Sequence, residues 1–437
     1  MIKKITRGFD SLMRKYTPDP FIYALSLTVL VFLLGALITS ESVFDLALEW
    51  GHGFWSLTTF TLQMVMILLL GYVVALSYPV KKFLSMMASW PKTLPQAAMF
   101  TTVISLVGAF LNWGFGLIIS ALFCKELGQR FNGKKFSILV ACSYSGFLVW
   151  HGGLSGSIPL VISTPNNFSQ SLLGGLIPLS KTIFSPLNLS ILGCHFLLLP
   201  LLSFFLIKWN NDEKEMTIID DGYKPRTAKA QTPAERWETS PLITIAIVFI
   251  AILYAIGQIR QNRFSIDLNQ INLFLFILAL ILHKNPRGFL DASMSAAQKI
   301  WPILIQYPFY AGIMAIMQQS GLAEMISNLF VDLASKKTLP VLVYLSAGLV
   351  NIFIPSGGGQ WAVQGPMVIK AAAELNADIN SSILAVAWGD AWTNMVQPFW
   401  ALPLLAIAGL KAKDIMSPLA VVFLLSGAIT SICFLIF

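Results

Sequence analysis

Lys337-Thr338-Leu339-Pro340, and after it Pro355-Ser356-Gly357-Gly358-Gly359-Gln360, open the stretch on which the fold turns, Lys337 to Leu410. A second apolar arm follows, then a long apolar segment interrupted by Gly389-Asp390-Ala391-Trp392-Thr393-Asn394. The same plan stands earlier: Lys92-Thr93-Leu94-Pro95 repeats the opening letter for letter, 245 residues upstream. At that spacing Asn112-Trp113-Gly114-Phe115-Gly116 falls on Gly357-Gly358-Gly359-Gln360-Trp361, and Lys125 on Lys370. At a spacing of 244, Tyr144 falls on Trp388, Gly146 on Asp390, and Pro159-Leu160 on Pro403-Leu404. A duplicated unit, each copy with a glycine-broken apolar segment, points to a transporter whose binding site lies at a repeat interface.

Composition agrees. Of 437 residues, 56% are hydrophobic and 11% charged, with a mean hydropathy of +0.72. Apolar runs of ~18 or more residues recur, which makes this an all-α polytopic membrane protein. The net charge of +8 then speaks to membrane orientation and not to nucleic acid. Cys124, Cys142, Cys194 and Cys433 lie in apolar segments without metal or disulfide spacing. The basic N-terminus leads into Pro20–Thr39, read as a retained first span and not a signal peptide.

About nine crossings are expected, near 20–39, 55–78, 136–163, 187–207, 241–258, 268–283, 300–319, 382–410 and 415–437. Hairpins are placed at 95–125 and 339–375, and an interfacial helix at 322–335. The first hairpin's second arm, Leu117–Cys124, is too short to cross ~30 Å of hydrocarbon and so reads as re-entrant. The chain divides into an N-terminal repeat, 1–208, with its broken helix at 136–163; a charged linker and connecting span, 209–267; and a C-terminal repeat, 268–437, with its broken helix at 382–410. With the N-terminus cytoplasmic and the C-terminus periplasmic, 23 of the 29 Lys and Arg fall on the cytoplasmic side. That count puts the two hairpins on opposite sides, so the repeats are inverted.

Non-helical backbone survives at membrane depth only when packed in protein or lining a wet cavity. Four breaks are expected: Asn112–Gly116, His151–Ser157, Pro355–Gln360 and Gly389–Asn394. Each begins a half-helix whose N-terminal amides attract an anion. A small carboxylate would be held by Asn112, Gly114, Gly116, Ser155, Ser157, Ser356, Gly357, Gly358, Gly359, Thr393, Asn394 and Gln397. Asp390 is the one acid within a crossing, and no Lys or Arg shares that depth. It is the coupling-ion candidate, supported by Ser356, Thr393 and Asn394. Unpaired, it should prefer to be neutral, by taking a proton or a sodium ion among hard oxygen ligands; these residues leave the choice open. Trp113, Phe115, Trp150, Trp361, Trp392, Phe399 and Trp400 could wall a slot for a short acyl chain. Gly153-Leu154-Ser155-Gly156 matches the short pattern of intramembrane serine proteases, but a histidine base beside Ser155 is needed to make it more than a four-letter match.

Taken together, Pro18-Asp19-Pro20, Asn112-Trp113-Gly114-Phe115-Gly116, Gly152-Gly153-Leu154-Ser155-Gly156-Ser157, Pro355-Ser356-Gly357-Gly358-Gly359, Gln364-Gly365-Pro366 and Gln397-Pro398-Phe399-Trp400-Ala401-Leu402-Pro403 resemble the bacterial short-chain fatty acid transporter family, the acetoacetate and butyrate carriers. The resemblance covers nearly the whole chain. It implies uptake of short monocarboxylates across a bacterial inner membrane and leaves coupling open. Carrying a carboxylate inward against a negative interior costs about 2.3 kcal/mol per charge per 100 mV, so symport with H⁺ or Na⁺ is expected. Without a phosphate loop, metal motif or cofactor fingerprint, no cofactor is expected. The resemblance also implies the inverted repeats, opposed hairpins and elevator-type motion of the ion transporter superfamily. Sodium-coupled dicarboxylate relatives carry Ser-Asn-Thr at their tips; here the tips read Asn112-Trp113-Gly114 and Ser356-Gly357-Gly358, which tilts the expectation to H⁺. A C4-dicarboxylate or aromatic-acid symporter on the same scaffold is the alternative. Expected partners are the monocarboxylate and the lipid bilayer, with no nucleic acid; a homodimer is compatible with the plan.

Overall fold

A computed structural model describes residues 19–164, 167, 169–209, 215, 216, 218, 232–261, 268–298, 300–397 and 399–437. The basic lead-in, most of the charged linker, Pro18 and Pro398 lie outside the described residues. Helices account for nearly all of the chain that is described. In order they are α1 (Pro20–Ile38), α2 (Val43–Gly53), α3 (Thr58–Leu76), α4 (Tyr78–Ala88), α5 (Leu94–Leu111), α6 (Trp113–Arg130), α7 (Phe136–Ser145), a 3₁₀ segment (Gly146–Gly152), α8 (Ser157–Ser163) and α9 (Pro186–Trp209). Then come α10 (Pro233–Glu238), α11 (Pro241–Arg260), α12 (Leu268–His283), α13 (Pro286–Ala297), α14 (Trp301–Gln319), α15 (Leu322–Val331), α16 (Leu339–Asn351), α17 (Gly357–Glu374), α18 (Ile379–Thr393), α19 (Leu402–Ala408) and α20 (Ala412–Ile436). The element order of α1 to α9 recurs from α12 to α20, with α10 and α11 between.

Among the described residues, seven helices are long and apolar enough to cross a membrane, or up to eight if α12 and α13, bent by 119°, count as one. The seven include the hairpin arm α5 and omit the expected crossings at 300–319 and 382–410, and 268–283 enters only with the bent pair. The segment 382–410 is split into α18 and α19, each too short alone, and α14 carries Gln306, Gln318 and Gln319. Three expected loops hold helices of their own, α2, α4 and α13. The interfacial helix ends at Val331, with Leu329 and Leu333 exposed.

Two packing groups divide the molecule. One, a frame, joins α1–α3 to α12–α14: α14 packs on α1 and α2, and α3 on α12 and α13; α4 follows α3 and bridges it to α6. Phe309 of α14 meets Phe21 and Phe54 edge-on at 5.5 and 5.2 Å between ring centroids. Gln63 of α3 donates to Asn269 (2.9 Å), and His283 donates to the Val73 carbonyl (2.8 Å). The other group, a core, joins both hairpins, both broken helices, α9 and α20. Without a hydrophobic drive in lipid, helices associate where small residues let backbones approach. Gly108 of α5 therefore faces Gly116 of α6, Gly146 faces Ser105 and Leu106 of α5, and Gly389 of α18 faces the Tyr344 carbonyl and Gly348 of α16.

That last contact corrects the expected break at Gly389–Asn394. Gly389 is there for close packing, α18 runs through it to Thr393, and the irregular backbone lies at 394–397 and 399–401. The first hairpin differs too. Only Asn112 interrupts it, and its second arm is the 18-residue α6, about 27 Å long. Length therefore gives no argument for re-entrance. The hairpin is seen instead in its pairing: Gly108 against Gly116 near the tip, Phe100 against Phe123 (5.6 Å) further down. α16 and α17 pair likewise, with Gln360 donating to the Ala347 carbonyl (2.7 Å) and Gln364 to Ser346 (3.3 Å).

Candidate functional site

Both hairpin tips dock on the breaks of the broken helices, which brings the four expected breaks into one region of the core. At the first tip Asn112 is extended (φ −157°, ψ 124°) and caps α6, its Oδ1 accepting from Gly114 N and Phe115 N at 3.0 Å each. Trp113 N donates to Ser155 Oγ (2.9 Å), and Leu154 N to the Phe110 carbonyl (2.7 Å). The first amides of α6 are thus consumed by protein acceptors. Gly116 serves the α5–α6 contact, and Gly114 is buried against Ile67.

The second tip has the same cap and a different balance. Ser356 is extended (φ −152°, ψ 106°), and its Oγ accepts from Gly359 N at a long 3.4 Å. No partner among the described residues takes the amides of Gly357 and Gly358. A Cβ on Gly358 would meet nothing within 4 Å. A Cβ on Gly357 would lie 2.5 Å from His151 Cε1 and 3.2 Å from Asp390 Oδ2. Glycine at 357 is what lets this tip close onto the two broken helices at once.

Beneath the tip sit Asp390 and His151, both with fully buried side chains, with Oδ2 and Nδ1 3.6 Å apart. His151 Nε2 accepts from Ile158 N (3.1 Å). An amide can only donate, so the neutral ring carries its proton on Nδ1, facing the carboxylate. That separation is just beyond hydrogen-bond range. Asp390 is the sole carboxylate among the buried described residues, and no Lys or Arg joins it. Both its oxygens lack a partner there, as do Asn351 Oδ1 and Gln397 Oε1. Asn351 Nδ2 holds the Asp390 carbonyl (2.8 Å) and Thr393 Oγ1 (2.9 Å), and Gln397 Nε2 reaches the Asn351 carbonyl (3.5 Å). Asn394 Oδ1 accepts from Trp150 Nε1 (2.9 Å), and its carbonyl from Tyr144 OH (2.9 Å). Ser157 begins α8, half-buried.

Three residues of this region escape the sequence reading: His151 as a partner of Asp390, Asn351 and Asn188. Asn188 of α9 donates to the carbonyls of Gly152 (2.9 Å) and Ile183 (2.8 Å) and accepts from Trp388 Nε1 (2.8 Å), fixing the first break to the second broken helix. The signal available was a single amide side chain within an apolar arm. The expected aromatic wall is partly assembled: Trp113, Trp150 and Trp400 meet at 5.0 to 6.2 Å, with Phe147 and Phe399 beside them. Trp392 instead stacks on Phe423 (4.2 Å), away from it. Ser155 is engaged by Trp113 N, and His151 Nε2 by Ile158 N, so no serine–histidine pair forms here.

Comparison with known proteins now has a structure to stand on. A family model described as short chain fatty acid transporter matches residues 1–437. The chain is 39% identical over 433 residues to a protein of Escherichia coli (strain K12) named for short-chain fatty acid transport, covering 98% of each. It is 37% identical over 426 residues to a likewise named protein of Haemophilus influenzae, covering 95% of each. Among solved structures, the YdaH transporter of Alcanivorax borkumensis is similar at a TM-score of 0.43 and 14% identity, with 96% of this chain and 97% of that one covered. MtrF of Neisseria gonorrhoeae is similar at 0.38 and 15%, with 98% and 97% covered.

Proposed function

Because this chain belongs to the short-chain fatty acid transporter family, and is thus a multi-pass membrane transporter and not an enzyme, we propose that it takes up short monocarboxylates such as butyrate and acetoacetate by proton symport. The observation that carries this is the second tip: two unengaged glycine amides at a helix N-terminus beside a buried Asp390 with no Lys or Arg near it. The amides and the helix dipole attract one carboxylate. The absence of a buried guanidinium favours a single negative charge over a dicarboxylate, which would call for bidentate pairing. Trp113, Trp150 and Trp400 supply the apolar wall for a short acyl chain.

Moving a carboxylate inward against a negative interior costs about 2.3 kcal/mol per charge per 100 mV, so a cation must accompany it. Asp390 takes that cation, as a proton in our reading, and His151 positions it by facing Nδ1–H toward the carboxylate. A second reading has its own observation: the partnerless oxygens of Asp390, Asn351 and Gln397 are the hard ligands a sodium ion prefers.

We further propose that the two sets of matching elements are inverted repeats, with the N-terminus cytoplasmic, and that the core moves against the frame. Their shared surface is aromatic and apolar around the first tip, where Phe60 meets Trp113 and Trp400 at 6.4 and 5.9 Å, and Tyr307 stacks on Phe399 at 4.3 Å. Around the first tip such a surface slides without breaking hydrogen bonds, whereas at the far end of α6 the bonds of Lys125 to Tyr72 and of Arg130 to the Ala88 carbonyl must release. Competition of labelled butyrate uptake in proteoliposomes by acetoacetate, succinate and benzoate tests the substrate class. Acetoacetate should compete and succinate should not; strong competition by succinate would replace this reading with a dicarboxylate carrier.

A further inference from the structure

Away from the tips, where α3 of the frame and α4 meet the last turns of α6, a cavity of ≈ 430 Å³ is lined by Lys81, Lys82 and Lys125, together with Tyr72, Ser85 and Glu126. Three lysines thus face one cavity whose lining holds one acid. No carboxylate among the described residues pairs with Lys81 or Lys82. Lys125 Nζ lies 3.4 Å from Tyr72 OH and 5.7 Å from the centroid of that ring. Leu76, Leu84 and Leu122 form the apolar part of the lining. Lys125 has its match in Lys370, whereas Lys81 and Lys82 have no basic match at the same spacing. The matching elements of the second set, α15 and α17, carry Glu324 and an exposed Lys370–Glu374 pair at 4.0 Å. Membrane orientation asks only for basic loops on one side. It does not ask that three lysines be gathered from two helices around an opening between them.

We propose that this cavity binds a phosphate group, that of an anionic phospholipid headgroup, with Lys81 and Lys82 holding it from α4 and Lys125 from α6. Its position among the basic loops is the side assigned above to the cytoplasm, whose leaflet is anionic. The apolar lining suits the glycerol and acyl ends of a lipid better than a free anion. A headgroup held there ties α4 to α6, beside the contact already made by Arg130 to the Ala88 carbonyl.

Thermal unfolding of the purified full chain, in micelles doped with phosphatidylglycerol or with phosphatidylcholine, tests this without any transport assay. Phosphatidylglycerol should raise the midpoint by about 2 °C or more. The Lys81→Gln/Lys82→Gln/Lys125→Gln variant should lose that rise, and the Lys336→Gln/Lys337→Gln control should keep it. The single Lys82→Gln variant, at an exposed position, should lose part of it and covers the case in which the triple variant does not fold. Inorganic phosphate is the second arm: a rise with phosphate alone, abolished by the same lysine changes, would keep the phosphate site and make its source the free anion. An equal rise in wild type and variants, or the same loss in the Lys336/Lys337 control, would overturn the proposal in favour of general charge attraction.

Discussion

The two hairpin tips have the same construction and opposite states of satisfaction. Each is a single extended residue, Asn112 or Ser356, capping the helix that follows. At the first tip Asn112 and Ser155 consume the amides of Trp113, Gly114 and Phe115. At the second, the shorter serine side chain reaches one amide at 3.4 Å and leaves Gly357 and Gly358 without a partner among the described residues. The first tip is therefore a joint, sealed to its broken helix and pressed against the frame. The second, on the function we propose, is where a ligand's negative charge still has something to gain.

This contrast can be broken most sharply at Gly357. A Cβ there would crowd His151 and Asp390. Overpacking of this kind costs about 1–3 kcal/mol, so Gly357→Ala should lower butyrate uptake roughly ten- to a hundredfold. Gly358→Ala points into open space and should stay near wild type, whereas Gly358→Leu should cover the free amides and abolish uptake without preventing membrane insertion. Uptake rates at matched protein levels in the membrane decide both.

The caps give a smaller effect and separate stability from binding. Asn112→Ala removes a side chain that accepts from two amides and should cost about 0.5–2 kcal/mol of stability. Its unfolding midpoint should fall while its KM for butyrate stays put. Ser356→Ala should do the reverse, with little change in midpoint and a raised KM, because its long bond holds little and its hydroxyl borders the free amides. A raised KM in Asn112→Ala would erase the distinction between the tips. Ser155→Ala should show the smallest effect, a loss of ~0.5–1.5 kcal/mol from one hydrogen bond, read as a modest drop in midpoint.

Much of this plan was legible because identical letters recur. Yet the repeated Lys-Thr-Leu-Pro is used in two ways: Thr93 closes a capping box with Gln96, whereas Thr338 Oγ1 accepts from Ser335 N. Spacing locates an element and does not fix its hydrogen bonds. Glycine was the ambiguous letter. Gly389 and Gly116 read as breaks but serve close helix packing, and nothing in the one-dimensional chain distinguishes a glycine that ends a helix from one that admits a neighbour. The apolar run understates the length of α6, whose last turns carry Lys125, Glu126 and Arg130 within the helix. Asp390 stood out as the lone acid at depth. His151 did not, because its pairing depends on the first break folding back so that Ile158 N meets Nε2.

Labelled butyrate in proteoliposomes under an imposed inward proton gradient, with wild type beside Asp390→Asn, tests the central claim most directly. Wild type should accumulate butyrate when the gradient is present and should not respond to a sodium gradient of the same size. Asp390→Asn mimics the neutral carboxyl and should exchange butyrate across the membrane yet accumulate none. Full gradient-driven accumulation by Asp390→Asn would remove this residue from coupling and contradict the account.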